Sequence, residues 1–309
     1  MATVLTGASL MDGALLIIAA NEKCPQPQTR EHLTALEAVG IKNVIIVQSK
    51  IDLVSEQRAI ESYKEIKQFI KGTLIENAPI IPVSAQQRIN LDLLIQAIEK
   101  SMPTPQRDET KDLKMLVART FDINKPGLEP KKLCGGVLGG AIIQGKIKLG
   151  DEIEIKPGIR VGAKYRPLIS KAVGIQKAGA DLEEAGPGGL LGVMTTLDPF
   201  LTKSDTLVGN IVGLLGKLPE VKESLTLEIK LLERVVGSEE LKAVAPIKPN
   251  EDILIHVGTA RSIGAVTSMK KNKIEIKLKI PVCVEEKERV AISRQIAGRW
   301  RLIGFGNVV

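Results

Sequence analysis

Three short apolar runs set the strongest limit on what the first hundred residues can become. Residues 15–20, 44–47 and 80–83 are aliphatic throughout apart from Pro82. Continuous runs of this kind suit parallel strands whose sheet is covered on both faces. The stretches between them carry helical signals. Thr29 could cap a helix running to Val39, with Gly40 in the usual stop position. Ser55 could cap a second that ends near Gly72. After the third run, Asn90 leads into Leu91, Leu94, Ile95 and Ile98, an i, i+3, i+4, i+7 stripe. The series predicts β-α-β-α-β-α with right-handed crossovers, hence an α/β doubly wound parallel sheet.

The pattern breaks at residues 101–108, where Pro103 and Pro105 sit among polar neighbours and mark a linker. Short β-rich runs separated by glycine follow at residues 115–120, 136–143, 146–149, 152–156, 189–196 and 207–215. A second set lies at residues 225–232, 253–257, 265–268, 274–279, 289–293 and 299–303. Such spacing suggests all-β barrels. With a boundary near Leu218-Pro219-Glu220, the expected domains are residues 1–108, 109–219 and 220–309.

Composition removes several function classes. The apolar run at residues 13–20 is far shorter than the roughly 20 residues a membrane span needs, so no membrane partner is expected. Cys24, Cys134 and Cys283 are odd in number and far apart, which argues against a disulfide framework and fits a reducing cytoplasm. His32 and His256 alone offer little for histidine catalysis. The net charge of +7 is uneven: residues 1–108 hold 11 basic against 12 acidic side chains, and each later segment holds 16 against 12. A polyanion is a plausible partner for the part after residue 108. Aromatics at 2% leave few platforms for stacking bases.

The chemistry is carried by two loops at the carboxyl ends of neighbouring strands, where open α/β sheets bind ligands. In Gln48-Ser49-Lys50-Ile51-Asp52, the Asp52 carboxylate can accept both the N1–H and the N2–H of guanine while the Lys50 stem lies along the base. Adenine offers no such pair of donors, and a site built this way discriminates on the order of 10⁴-fold. In Ser84-Ala85-Gln86, the small residue lets a backbone N–H approach the base oxygen and the serine hydroxyl can brace the loop. Each string alone is an ordinary strand-to-helix turn. Together they point to a guanine site.

Beyond these loops, Thr6-Gly7-Ala8-Ser9-Leu10-Met11-Asp12-Gly13-Ala14 and Pro27-Gln28-Thr29-Arg30-Glu31-His32 resemble the translation-factor GTPases related to elongation factor Tu. Cys24-Pro25-Gln26-Pro27-Gln28-Thr29, Phe121-Asp122-Ile123-Asn124-Lys125-Pro126-Gly127 and Leu197-Asp198-Pro199-Phe200 are closer to the gamma subunit of translation initiation factor 2. The ending, residues 292–306, resembles its archaeal form. The likeness runs in order through the whole chain. It implies a partial G domain followed by two β-barrels. It further implies GTP/GDP as ligand, with Ser49, Lys50, Ile51 and Asp52 as the base-specificity motif and Ser84, Ala85 and Gln86 as the second base loop. Implied partners are initiator methionyl-tRNA, the small ribosomal subunit, an alpha subunit on the first barrel and a beta subunit on the G domain.

The chain departs from that family twice. Ser49 stands where the family motif has Asn, so weaker nucleotide binding is expected, by about 1–3 kcal/mol if a buried partner is left unpaired. No G-x-x-x-x-G-K-[ST] occurs in the 309 residues. That loop cradles phosphates and its Ser/Thr binds Mg²⁺. The resemblance places it, the switch threonine and a cysteine zinc knuckle upstream of Met1. The chain is therefore expected to be an N-terminally truncated gamma subunit, inactive in hydrolysis alone and exposing apolar strand edges. The alternative is a non-catalytic scaffold for initiator tRNA and partner subunits.

Lys270-Lys271-Asn272-Lys273 with Lys277 and Lys279 reads either as an RNA phosphate contact or as a solvated hairpin that blunts a strand edge. Arg294, Arg299 and Arg301 pose the same question. Gly135-Gly136 and Gly139-Gly140 lack the Lys-Ser/Thr of a phosphate loop and read as a barrel turn and bulge. Cys134 beside them reads as a small apolar residue. Gly298 and Gly304 are expected to permit tight strand packing.

Overall fold

The structure is a computed structural model that describes residues 2–232 and 243–309. The chain divides into two compact units, one of Met1–Pro105, Leu231–Pro246 and Ser293–Phe305, the other of Gln106–Lys230, Ile247–Ile292 and Gly306–Val309.

The α/β part begins with α1 (Ala2–Ala8) and β1 (Ala14–Ala19), then α2 (Pro27–Val39), β2 (Val44–Ser49), α3 (Glu56–Ile70), β3 (Ile80–Pro82) and α4 (Leu91–Ser101). The strands pair in parallel in the order β1-β2-β3. Central β2 is buried from Val44 to Gln48, which is why its run is unbroken. On one face Leu33 and Leu36 of α2 and Ile66 and Ile70 of α3 pack against Leu16, Ile18 and Ile46. On the other, Leu94, Ala97 and Ile98 of α4 pack against Ile45, Val47 and Val83. Each aliphatic side chain so buried contributes about 1.5–3 kcal/mol. The doubly wound reading holds.

Ser55 accepts from the Arg58 amide at the start of α3, and Gly40 ends α2 at φ 90°. The Thr29 cap is corrected, because Pro27 already occupies the first turn of α2 and its preset φ starts the helix earlier. On the α4 face, register pairs Leu15 with Ile45 and Ile17 with Val47. Leu15 and Ile17 remain 40% and 63% exposed, leaving an open apolar face on β1.

The first barrel uses β4 (Lys114–Phe121), β5 (Val137–Gln144), β7 (Glu152–Val161), β8 (Lys164–Lys177), β11 (Leu191–Thr195) and β12 (Ile211–Leu214). Short β6 (Ile147–Lys148) and β10 (Glu184–Ala185) pair with each other, and β9 (Ala180–Leu182) pairs antiparallel with the end of β8. The order β11-β5-β4-β12-β7-β8 is closed by a direct β11–β8 pairing. Met115, Val117, Leu138, Ile142, Ile153, Ile155 and Val212 fill its interior. Gly139 and Gly140 lie on β5 opposite a register shift in β4 between Val117 and Arg119, the expected bulge. Cys134 is exposed rather than packed, because its backbone is held out in a loop by both ends of the Asn124 amide.

The second barrel comprises β13 (Val221–Leu231), β14 (Asp252–Val257), β15 (Ala260–Lys270), β16 (Lys273–Cys283), β17 (Arg289–Ile296) and β18 (Arg299–Val308). It closes in the order β13-β16-β15-β14-β17-β18. Gly298 corrects its reading. A Cβ there would meet nothing, whereas Ala297 at φ 49° and Gly298 at φ 74° form the β17–β18 turn. That turn favours residues tolerant of positive φ.

Candidate nucleotide-base site

Both base loops leave the same end of the parallel sheet. β2 ends at Ser49, Lys50 takes a left-handed conformation at φ 59°, and Ile51–Leu53 forms one 3-10 turn that holds Asp52. The loop after β3 closes on itself, with Ser84 donating to Ile89 and Ile89 donating back at 2.9 Å. Fully buried Ser84 accepts from the Gln87 amide at 3.1 Å through Oγ, the bracing role foreseen for it.

The loops are joined directly. The Val83 amide donates to the Gln48 carbonyl at 2.8 Å, and the Ile51 amide donates to the Val83 carbonyl at 3.4 Å. Lys50, Asp52, Ala85 and Gln86 are exposed, while Ser49 and Ile51 are half-buried. The seven residues singled out in the sequence thus belong to two hydrogen-bonded loops. Among the described residues, neither the Ala85 nor the Gln86 amide has a partner. An exposed carboxylate beside uncommitted amides can accept from a base edge and donate to its oxygen.

Two positioning residues were missed. Gln48 is 2% exposed and donates from Nε2 to the Ala59 carbonyl at 2.8 Å, tying the end of β2 to α3. Asn90 donates from Nδ2 to the Pro82 carbonyl at 2.8 Å, fixing the second loop to β3. A buried-strand run of Val44–Val47 continued by a polar side chain is a usable signal for Gln48. Asn90 carries only a helix-start signal in the sequence, and at φ 58° it makes no side-chain cap.

Close by in the same unit, Glu65 accepts from Arg58 at 2.8 Å and from the Cys24 amide at 2.8 Å. The Arg58 hydrogen bond, then that of Cys24, holds the Glu65 carboxyl below its ordinary range. Burial pushes the Cys24 thiol up to about 11, so it is no nucleophile. Among the described residues, no group of three or more His, Cys, Asp or Glu could hold a metal ion.

A three-stranded parallel sheet with two hydrogen-bonded loops at its carboxyl end, followed by two closed six-stranded barrels, defines a translation-factor G-protein architecture. Residues 1–104 match the elongation factor Tu GTP binding domain, and residues 223–308 match the C-terminal model of initiation factor eIF2 gamma. Translation initiation factor 2 subunit gamma of Pyrococcus horikoshii is 60% identical over 99% of this chain and 75% of its own length. The same subunit of Archaeoglobus fulgidus is 56% identical over 99% of this chain and 72% of its own. Translation elongation factor SelB of Methanococcus maripaludis, solved with a GTP analogue, superposes with a TM-score of 0.77 at 21% identity over 99% of this chain and 67% of that one. The chain belongs to the translation initiation factor 2 gamma-subunit family.

Proposed function

We propose that this chain recognises the guanine end of GTP or GDP and carries initiator methionyl-tRNA to the small ribosomal subunit. Asp52 accepts from N1–H and N2–H, Lys50 covers the base, and the Ala85 amide meets the base oxygen. Ser49, Ile51, Ser84 and Gln86 shape the two loops. The observation that carries this reading is the Ile51–Val83 hydrogen bond, which makes one site of two loops. The domains are residues 1–108, 109–219 and 220–309, with a beta subunit on the first and an alpha subunit on the second. Family membership supports both partners and a cytoplasmic site of action, and no helix among the described residues is long and apolar enough to cross a membrane.

These 309 residues hold no G-x-x-x-x-G-K-[ST], so the reading assigns them base recognition and not phosphate chemistry or Mg²⁺ binding. The same absence favours a second reading, a scaffold that binds tRNA and subunits without sensing nucleotide. Titration of the chain with GMP and AMP, followed by backbone amide NMR, separates the two. Guanine-selective shifts confined to Lys50–Asp52 and Ser84–Gln86, lost in Asp52→Ala, are expected. Equal responses to both nucleotides, or none, would leave the scaffold.

A further inference from the structure

The β15–β16 hairpin gathers exposed lysines at and beyond its turn. Register sets Lys270 directly opposite Lys273, with Lys271 and Asn272 forming the turn between them. Like charges facing across a strand pair destabilise it, while on its other side Lys273 lies in register with Glu228 of β13. Lys277 lies farther along the outer face of β16, about 13 Å from Lys273 at strand spacing. Lys270, Lys271, Lys273 and Lys277 are all exposed and make no ion pair among the described residues. Lys279 differs, because Asp252 holds it at 3.0 Å.

Edge protection does not account for them either. β16 lies between β13 and β15, and β15 between β16 and β14, inside a closed barrel. Neither strand is an edge, so there is no open ladder for lysines to guard. Besides Asp252, the acidic residues near this face include Glu228, which is in register with Lys273 and accepts from Asn272 at 2.7 Å, and Glu275. Lys230 adds a further exposed charge on β13, two residues beyond Glu228.

We propose that this hairpin end binds the phosphate backbone of structured RNA without reading its sequence. Residues 260–283 contain no Phe, Tyr or Trp, so bases have nothing to stack on. Flexible ammonium groups on a rigid ribbon suit phosphates, and phosphate contacts position a nucleic acid without specifying it. The arginines near the C-terminus are not part of this surface. Arg294 donates to the Ala245 and Pro246 carbonyls, and Arg301 is paired with Glu31 at 2.9 Å.

This extends the RNA-carrying part of the function proposed above and does not depend on the base site. The test compares the wild-type chain with Lys270→Gln/Lys271→Gln/Lys273→Gln and with the same three changed to Arg. Binding to initiator tRNA and to isolated small ribosomal subunits is measured from about 50 to 200 mM salt. The Gln variant should lose roughly tenfold or more at low salt toward one of the two RNAs, with a salt slope flatter by about 2 to 3. Which RNA responds names the source of the phosphates. The Arg variant should bind as wild type. Unchanged affinity and slope toward both RNAs would overturn the proposal, as would absent binding by the wild type. A Gln-variant loss confined to poly-glutamate would also overturn it and assign the hairpin to an acidic polypeptide. Because all three side chains are exposed, the GMP response should persist in every variant, so failure here and failure of the base site are read separately.

Discussion

The Ile51 amide donates to the Val83 carbonyl across 3.4 Å, joining the turn that carries Asp52 to the strand end that leads into Ser84. Ile51 and Val83 lie 32 positions apart in sequence, yet this bond and that from the Val83 amide to the Gln48 carbonyl at 2.8 Å hold the two loops together. Gln48 and Asn90 anchor the halves to α3 and β3. On the proposed function, a base entering here would meet groups already positioned, which lowers the ordering cost of binding.

Ser49 is the place where this site can be strengthened. Its hydroxyl reaches the Ile18 carbonyl only at 3.4 Å, a long contact that ties β2 weakly to β1. An amide at that position reaches farther and can donate to β1 while keeping an oxygen for the nucleotide side. Ser49→Asn should tighten GMP binding by about 0.5–1.5 kcal/mol, the net worth of one hydrogen bond. Calorimetric titration checks it, and an unchanged affinity would show that Ser49 serves the site as well as Asn.

His256 makes stability depend on mildly acidic pH. It is 4% exposed on β14, and neither ring nitrogen has a hydrogen-bond partner among the described residues. Burial, then the charge of Arg261, pushes its pKa down to about 4. The unfolded chain therefore binds a proton between about pH 6.5 and 4 that the folded chain does not. This contribution is fully present above 6.5 and falls through the window, by on the order of 3 kcal/mol in total. His256→Leu should flatten urea-unfolding stability across pH 4–6.5. If the variant keeps the wild-type slope, another group is responsible.

Lys114 sets an alkaline limit. It is 4% exposed on β4, yet it ion-pairs with Glu288 and, at 3.2 Å, with Glu285. Desolvation opposes its charge, but the hydrogen bond and charge of Glu288, with those of Glu285, outweigh it and raise the pKa. A raised lysine stabilises fully below its unfolded value near 10.5 and loses that contribution as pH climbs through the folded value. Lys114→Met should cost about 1–3 kcal/mol at pH 7 and lose less between pH 10 and 12 than wild type does. Parallel denaturant titrations would show the two curves converging; curves that stay parallel would contradict the assignment.

Gly140 is required by approach and not by φ. A Cβ there would lie 1.9 Å from the Leu116 carbonyl oxygen on the neighbouring strand. Because the obstacle is backbone, β4 and β5 would have to separate at the bulge. Gly140→Ala should destabilise the chain by about 1–3 kcal/mol or more, read as a lower urea midpoint. Gly162→Ala in the β7–β8 turn is the contrasting case, with nothing near its Cβ but φ at 63°. It should show only the smaller cost of an alanine held at positive φ.

Much of the architecture was readable from local pattern. Aliphatic runs at the helix-covered sheet, the Ser55 cap, the Gly40 stop and the two base strings all report on near neighbours in the chain, and the structure puts them where they were expected. β8 was not readable. Along its fourteen residues only Ser170, Ala172 and Ile175 are buried, two of them small, so the inward face carries little hydrophobic signal. Its partners β7 and β11 supply the burial, and β11 lies across a closure that no local pattern encodes.

The same division applies to charge and polarity. Sequence placed the lysines of residues 270–279 on one ribbon, but only the closed barrel shows that the ribbon has no edge to protect. Likewise Lys114 and His256 look like ordinary surface residues in the string, because burial depends on strands paired far along the chain. Periodicity and capping act over a few residues and are written locally. Barrel closure, buried charge and the Ile51–Val83 link arise from contacts between distant segments, and those exist only once the chain has folded.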